Sequence, residues 1–508
     1  MVGRADPARE KGPLVNASTT WGLVNSQFKD YLVLVGAKIL RVPLALLVVS
    51  LLSRLVGPEG VGQWAMLLAV STFFHSFLLN WTQAPAVRFG REEWLESKNL
   101  SKTWAARGPF VLSGLIFAFL FLALRPFSFF EQLTSLPSGW WVLSFLYLLG
   151  LWCLAEVQSL FTISEKFKPL AILPLLADVI FISFLFLLIY VPSEKWNESA
   201  IPGLATLTAL FWIGVWFKEF IITRSWGKQV SIKDSIRVLK FGWPMIPTFI
   251  VGYLSDWGDH FLLQHFHTAQ QVAFFHAGYQ VMIAMMALAS PLMVIFLPKL
   301  IERKGKDLNA EKDYLRRIVP TVATLWLFAI IPGIAVVPWF FELVFGDEFL
   351  FALSTFYVLC AAIPGAVFAS LCTVLFNVQG RLGRTGWYHA LMFVSNISIS
   401  IVLIPKWGSL GAAIGTSASY LLIQGLYIFD QYKYLNLPST KPTLLFFVAY
   451  IYGVAQIISG GEFFVRLVVA VVTMVGLFLI AKKWKTCEGE IIAGLLPRQF
   501  AWVGRFFD

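Results

Sequence analysis

The chain carries too little charge for a soluble protein of its length. Asp, Glu, Lys and Arg make up only 14% of its 508 residues, whereas hydrophobic residues make up 58%. A soluble protein needs about a quarter of its residues charged to cover its surface. The composition therefore argues against a soluble enzyme, a secreted disulfide scaffold or a nucleic-acid-binding protein. It predicts an all-α protein that crosses a membrane many times.

Catalytic and metal-binding patterns are also missing. Of the four cysteines, Cys153, Cys360 and Cys372 lie in apolar runs, and none forms a CxxC pair. This pattern supports neither a disulfide framework nor a zinc site. The sequence has no GxxxxGK[ST] phosphate-binding loop, which excludes an intrinsic ATPase. It also has no Ser/His/Asp or Cys/His motif in a polar segment, so we expect a protein that is not an enzyme and needs no cofactor.

Apolar runs long enough to cross a bilayer follow one another along the chain. A helix needs about 20 mostly apolar residues for this, and the sequence holds roughly 14 such runs. The polar residues 1–30 contain no apolar run that would form the core of a signal peptide. The predicted spans are 31–56, 63–82, 105–125, 139–163, 169–191, 201–222, 240–264, 272–298, 318–341, 352–377, 387–405, 410–430, 442–459 and 463–482.

The cations fall on one side of this arrangement. If the N-terminus is cytoplasmic, 33 of the 40 Lys and Arg residues lie in the cytoplasmic segments. Basic residues accumulate on the cytoplasmic side of membrane proteins, so the sequence predicts that both termini are cytoplasmic, in a bacterial-type cell membrane. The net charge of +11 then needs no nucleic acid to explain it.

The first six spans and the next six resemble each other. A shift of 211 residues places 60–64 on 271–275 and Pro109 on Pro320. This relation predicts two parallel six-helix lobes, an arrangement found in transporters; chance similarity of two apolar sequences is the alternative. The predicted organisation is a tail at 1–30, an N-lobe at 31–222, a linker at 223–239, a C-lobe at 240–430, two further spans at 431–482 and a tail at 483–508.

Four motifs resemble those of a known family. They are SRLVGPEGVG at 53–62, Asp259-His260 followed by VAFFHAGY at 272–279, LVFGDEF at 343–349, and Asn396 followed by LIPKWGSLGAAIGT at 403–416. Together they resemble the polysaccharide transporter family of O-antigen-type oligosaccharide flippases, which shares a superfamily with the MATE exporters. The sequence departs from the family pattern at His260, where Arg is common, and at Ala273, where Gly is common.

The resemblance implies a MATE-like fold and a flippase that translocates a polyprenyl-pyrophosphate-linked oligosaccharide by alternating access. It implies membrane lipids, a lipid-linked glycan, H⁺ or Na⁺ as coupling ion, and a glycan polymerase or glycosyltransferases of the same pathway as partners. A MATE-type multidrug or cation antiporter is the alternative. An enzyme of the same pathway is a third possibility, but the chain lacks the large external loop that such an enzyme is expected to carry.

Two cations within the first span are the main candidates for substrate binding. Lys38 and Arg41 are three residues apart and therefore share a helix face. Counted from Tyr31, Arg41 lies about 15 Å into the membrane, where a cation is costly and usually faces a cavity or a partner. We expect the pair to attract the pyrophosphate through charge-assisted hydrogen bonds. The alternatives are an ion pair with Asp178 or Glu156, and snorkelling of Lys38.

Acidic and histidine residues within spans are further candidates. Asp178, Asp256 and Asp259 could exchange a proton or Na⁺ as the lobes move, with salt bridging or solvation of Asp259 as the alternatives. His75 and His276 could hydrogen-bond to sugar or phosphate, although a histidine within a span also commonly bonds to a neighbouring helix.

Overall fold

The computed structural model describes residues 17–124, 134, 136–137, 139–190, 194–223, 231–287, 300, 309–459 and 462–489. Most of the described residues are helical, and none of them lies in a strand. Parts of several predicted segments lie outside the described residues, namely 1–16 of the first tail, 224–230 of the linker, 288–298 of the eighth span and 490–508 of the last tail.

The described residues of the first half of the chain form seven α-helices. These are α1 (Ala17–Phe74), α2 (Gln83–Ser97), α3 (Ser101–Leu124), α4 (Trp140–Ile163), α5 (Phe167–Tyr190), α6 (Glu194–Ile222) and α7 (Ile232–Gly242). A π-helical turn (His75–Leu79) and a 3₁₀ turn (Asn80–Thr82) join α1 to α2. Another 3₁₀ turn (Trp243–Met245) joins α7 to the second half.

The described residues of the second half of the chain are also mainly helical. Its helices are α8 (Ile246–Phe266), α9 (Ala269–Ala287), α10 (Val319–Phe345), α11 (Ala352–Cys360), α12 (Ala366–Gln379), α13 (Leu382–Trp407), α14 (Ser409–Tyr434), α15 (Thr440–Ile458) and α16 (Phe463–Trp484). A short helix (Ala310–Asp313) and a π-helical turn (Tyr314–Ile318) precede α10.

The first two predicted spans are one helical run with a kink. Gly57 has φ 65° and ψ −175°, which interrupts the helix between them. This conformation suits glycine because it has no Cβ to collide with the backbone. Pro58 follows directly and cannot donate a backbone hydrogen bond, which also favours a break at this point.

Ten helical stretches of the described chain are long and apolar enough to cross a membrane. The first of them, Gly36–Ser97, covers the first two predicted spans. Three predicted spans are not among these stretches, and 288–298 of one of them lies outside the described residues. They are 240–264 and 272–298, which carry several polar residues, and 352–377, which is divided between α11 and α12.

Helices pack mainly with others from the same half of the chain. In the first half, α1 packs against α5 and α4 packs against α6. In the second half, α13 packs against α14 and α8. Helix α1 also contacts the second half of the chain, where it packs against α9. Helices α15 and α16 both pack against α10.

Burial changes along α1. Leu40 and Leu47, before the kink, are 60% and 37% exposed, whereas Leu52 and Val61, on either side of it, are fully buried. The early part of α1 is therefore accessible from outside the protein, and the part around the kink is enclosed by both halves of the chain.

Candidate functional site

Arg41 forms an ion pair across two helices of the first half. Its Nε–H donates to Oδ2 of Asp178 at 3.1 Å. The Asp178 side chain is 9% exposed and the Arg41 side chain 44% exposed. One of the expected alternatives, pairing with Asp178, is thus present, but it engages only one edge of the guanidinium. A second anion could therefore still approach the other edge.

Lys38 lies one turn earlier on α1 and is exposed. Asp178 balances the charge of Arg41, so the group formed by Lys38, Arg41 and Asp178 has a net charge of about +1. Glu156, the other acid expected as a partner, lies elsewhere in a separate ion pair.

The kink in α1 gives a second estimate of the depth of Arg41, beside the expected position near the membrane midplane. A Cβ atom on Gly57 would lie 3.4 Å from Oε2 of Glu348, and Glu59 is exposed, so the kink lies among acidic side chains, where we expect one membrane boundary. At 1.5 Å per residue, Arg41 is about 24 Å from Gly57 along the helix. In a core about 30 Å thick it is therefore close to the opposite boundary. The sequence estimate assumed that the membrane begins at Tyr31, but the helix already begins at Ala17.

The two halves of the chain are joined near the kink by contacts that we call the seam. Side chains of α1 donate hydrogen bonds to the last carbonyl groups of α10: Ser50 to Val344, Ser53 to Phe345 at 3.0 Å, and Arg54 to Leu343 at 2.5 Å. The last carbonyl groups of a helix have no partner within the helix. These three donors therefore act as a cap supplied by the other half of the chain.

The seam also includes a close backbone contact. A Cβ atom on Gly62 would collide with the backbone carbonyl of Ala269, at the start of α9. Glycine at this position allows α1 and α9 to approach more closely than any side chain would permit.

Asp259 lies in a polar cluster inside the second half. Its Oδ2 accepts hydrogen bonds from Nδ2 of Asn396 at 3.0 Å and from Oγ1 of Thr416 at 2.7 Å. Ser400 donates to Oδ1 of Asn396 at 3.2 Å. Asp259 is only 3% exposed, which excludes the alternative of solvation. Its Oδ1 is buried without a hydrogen-bond partner among the described residues.

Asp256 is separated from Asp259 although both are on α8. Asp256 is exposed and accepts one hydrogen bond, from Tyr279 at 3.2 Å. His260 is buried and faces His276, with Nε2 and Nδ1 3.0 Å apart. His276 also lies 3.4 Å from Gln280 and is 1% exposed. This geometry favours the interhelical hydrogen bond over substrate binding for His276, whose role in binding stays a prediction.

His75 begins the π-helical turn after α1. It is partly buried, and its Nε2 has no hydrogen-bond partner among the described residues. A π-helical turn within an α-helix is often found at functional sites. The turn contacts α3 and α8, so His75 lies between the two halves of the chain. Its proposed contact with substrate stays a prediction.

The sequence analysis missed a buried ion pair in the first half. Arg107 was assigned to a basic cytoplasmic segment, but it is 1% exposed and bonds to both carboxylate oxygens of Glu156, at 2.7 and 3.2 Å. Thr82 and Gln83 complete this network. The signal available in the sequence was the position of Arg107 near an end of the apolar run 105–125.

It also missed the partners of Asp259. Asn396, Ser400 and Thr416 are polar residues within apolar helices, and the first two are four residues apart on one face of α13. That spacing was the signal that could have identified them, since residues at i and i+4 are neighbours on a helix.

A family model described as "Polysaccharide biosynthesis protein" matches residues 28–300, more than half of the chain. The chain belongs to this family. The match begins before the exposed part of α1 and continues through Lys38, Arg41, Asp178, Asp259 and His276. It therefore includes every residue singled out above for substrate or ion binding.

Two curated relatives carry names that concern glycans. A putative O-antigen transporter of Shigella flexneri is 23% identical over 211 residues, which cover 40% of this chain and 49% of that protein. A probable low-salt glycan biosynthesis flippase of Haloferax volcanii is 21% identical over 215 residues, covering 39% and 44%. The chain thus spans about half the length of the curated relatives it matches.

Solved structures identify the fold. The lipid II flippase MurJ, in an inward closed conformation, matches with a TM-score of 0.66 and 14% identity over 88% of this chain and 98% of that one. An inward-facing multidrug resistance transporter of the MATE family matches with a TM-score of 0.53 and 13% identity over 80% and 94%. The fold is therefore MATE-like, with two parallel lobes followed by two further helices.

Proposed function

We propose that the protein is a flippase that moves a polyprenyl-pyrophosphate-linked oligosaccharide across the cytoplasmic membrane by alternating access. The observation that carries this proposal is the half-exposed guanidinium of Arg41, which lies beside exposed Lys38 on an accessible part of α1. Membership of a polysaccharide biosynthesis family and the names of the relatives support the same substrate class.

The position of Arg41 suits a phosphate group attached to a lipid. The phosphates of a membrane lipid lie at the membrane boundary while its tail remains in the hydrocarbon. A guanidinium near that boundary can meet the pyrophosphate without drawing it into the hydrocarbon first. Asp178 occupies the Nε edge of Arg41. The remaining N–H groups could donate charge-assisted hydrogen bonds to the substrate.

In this proposal the seam marks the closed, extracellular end of the protein. Arg54 and the two serines hold α1 against α10 there, whereas the Arg41 end of α1 is exposed. The arrangement corresponds to a state open toward the cytoplasm, with both termini on that side. Transport would break the seam and bring together the cytoplasmic ends of lobes 31–222 and 240–430.

The cluster around Asp259 is our candidate for ion coupling. Carboxylate, amide and hydroxyl oxygens are the hard ligands that suit Na⁺ or a proton. The buried Oδ1 has no hydrogen-bond partner in the described part of the chain, which leaves one acceptor available. Since α8, α13 and α14 all contribute, occupancy of the cluster would alter how these helices pack. Asp178 is the second candidate, because release of Arg41 to the substrate would leave its carboxylate free to take up a proton.

The chemistry of a flippase requires no catalytic residue, and glycosyltransferases and a polymerase of the same pathway would supply and consume the substrate. A MATE-type cation antiporter is the alternative. The exposed cations on α1 oppose it, since they would repel a cationic drug near a low-dielectric core. Exposed Asp256 is the feature that such a drug would use instead.

A flipping assay in proteoliposomes tests the proposal. Purified protein should translocate a fluorescent polyprenyl-pyrophosphate sugar, and a matched polyprenyl sugar without the diphosphate should compete poorly. A fluorescent organic cation should not be transported. Transport of the cation with no movement of the diphosphate lipid would overturn the proposal in favour of the antiporter.

A further inference from the structure

The short helix α7, in the linker between the two lobes, presents an apolar stripe that no described part of the chain covers. Ile232, Ile236, Leu239 and Trp243 are 77%, 46%, 39% and 56% exposed. At 100° per residue these four side chains fall within about 60° of the helix circumference. Such a narrow stripe of large exposed side chains requires an apolar environment.

The opposite face of α7 is fixed to the first lobe. Val238 is buried in a small cluster with Trp81 and Ala106, and a Cβ atom on Gly242 would collide with Trp81. Arg237 bonds to Glu92 at 3.1 Å and lies over the ring of Phe89. The orientation of α7 about its own axis is therefore determined, and the apolar stripe must point away from the first lobe.

The position of α7 places the stripe at a membrane surface. Helix α7 ends at Gly242, and α8, which lies in the predicted span 240–264, begins at Ile246 after a single 3₁₀ turn. One turn is too short to carry α7 away from the bilayer. Trp243, in this turn, is a residue type enriched at membrane interfaces.

Two lysines border the stripe. Lys233 and Lys240 lie about 20° apart on the same side of the helix, and both are exposed. Neither has an ion-pair partner among the described residues. An apolar stripe bordered by free cations is typical of a helix that lies in the plane of an anionic membrane surface.

We propose that α7 is an interfacial helix that binds anionic phospholipids of the adjacent leaflet. The apolar stripe enters the acyl-chain boundary, and Lys233 and Lys240 contact headgroup phosphates. Since α7 connects the lobes and is fixed to the first of them, this contact anchors the first lobe to the membrane while the second lobe moves. The proposal does not depend on the identity of the transported substrate.

A nitroxide attached to Ile236→Cys tests the depth of the stripe in lipid nanodiscs. The four native cysteines are buried, so the label reacts selectively with the introduced one. Leu112→Cys, on the lipid-exposed side of α3, is the reference for hydrocarbon, and exposed Glu96→Cys, on α2, is the reference for water. We expect the label at 236 to collide with oxygen, as at 112, and to be protected from a nickel chelate. A water-like signal, or protection from both reagents by a protein contact, would overturn the proposal.

The lysines are tested in nanodiscs of phosphatidylcholine and phosphatidylglycerol. In the variant Lys233→Gln/Lys240→Gln, enrichment of phosphatidylglycerol around the protein should fall about fivefold for each lysine removed. Lys233→Arg/Lys240→Arg should retain it, and a thermal melt checks that both variants are folded. Native mass spectrometry of the retained lipid gives the measurement. Unchanged enrichment in the glutamine variant would contradict the role of the lysines.

Discussion

At the scale of single residues, Arg41 has two possible roles, a structural ion pair with Asp178 and substrate binding. The structure suggests variants that separate them. In its ion pair with Asp178 the Arg41 side chain is 44% exposed, and an ion pair with an exposed partner contributes little to stability, on the order of 1 kcal/mol. We therefore predict that Arg41→Ala abolishes flipping while the melting temperature changes little. Flipping in proteoliposomes and a thermal melt in detergent are the two measurements.

Asp178→Asn is the matched control, because it breaks the same ion pair and retains Arg41. A purely structural pair would make both variants equally unstable and equally inactive. A substrate role for Arg41 predicts that Asp178→Asn still binds the diphosphate lipid, whereas Arg41→Ala does not. Retention of flipping in Arg41→Ala would remove Arg41 from the proposed site.

Asp259 gives a second prediction at this scale. Asp259→Asn keeps the size of the side chain and removes the charge that an ion or proton would neutralise. If Na⁺ is the coupling ion, it should raise the melting temperature of the original protein by mass action and leave that of the variant unchanged. Flipping by the variant should also lose its response to Na⁺ and pH gradients. Asp256→Asn, on the same helix but outside the cluster, should behave as the original protein. If flipping by Asp259→Asn still responds to the gradients, ion coupling takes place at another residue.

At the scale of helices, the close approach of α1 and α9 should control the seam. Gly62→Ala adds a Cβ that collides with the backbone of Ala269. Gly36→Ala, on the same helix, meets nothing within 4 Å and provides the control for helix propensity. We predict that Gly62→Ala separates the lobes near the kink and that Gly36→Ala does not.

Spin labels at Glu59→Cys and Asp347→Cys, both exposed and on opposite sides of the seam, would measure this separation by double electron–electron resonance. Gly62→Ala should add a population at longer distance. An unchanged distance distribution would mean that the α1–α9 contact does not hold the seam closed.

At the scale of helices, part of the structure could be predicted from the sequence. Hydropathy identified most of the helices and ended the first span at 56, next to the kink at Gly57, because apolar runs are a local property of the chain. The partners of Asp259 could not be predicted in this way, since Asn396 and Thr416 are far from it in sequence and meet it only through packing. The seam was missed for a related reason: Ser50 and Ser53 look unremarkable until the end of α10 lies beside them. The ion pair of Arg107 with Glu156 was missed because a cation near the end of an apolar run fits either a loop or a buried pair.

At the scale of the whole molecule, the orientation in the membrane is the prediction on which the direction of transport depends. Exposed Glu96 and Lys98 lie on the strongly basic side, whereas the seam end carries Glu59 and Glu348. Because basic residues accumulate in the cytoplasm, Glu59→Cys should react with a membrane-impermeant maleimide in intact cells. Glu96→Cys should react only after the membrane is permeabilised. The opposite labelling pattern would place Arg41 at the outer boundary of the membrane. The protein would then have to capture its lipid substrate from outside the cell. That is incompatible with export of a glycan assembled in the cytoplasm.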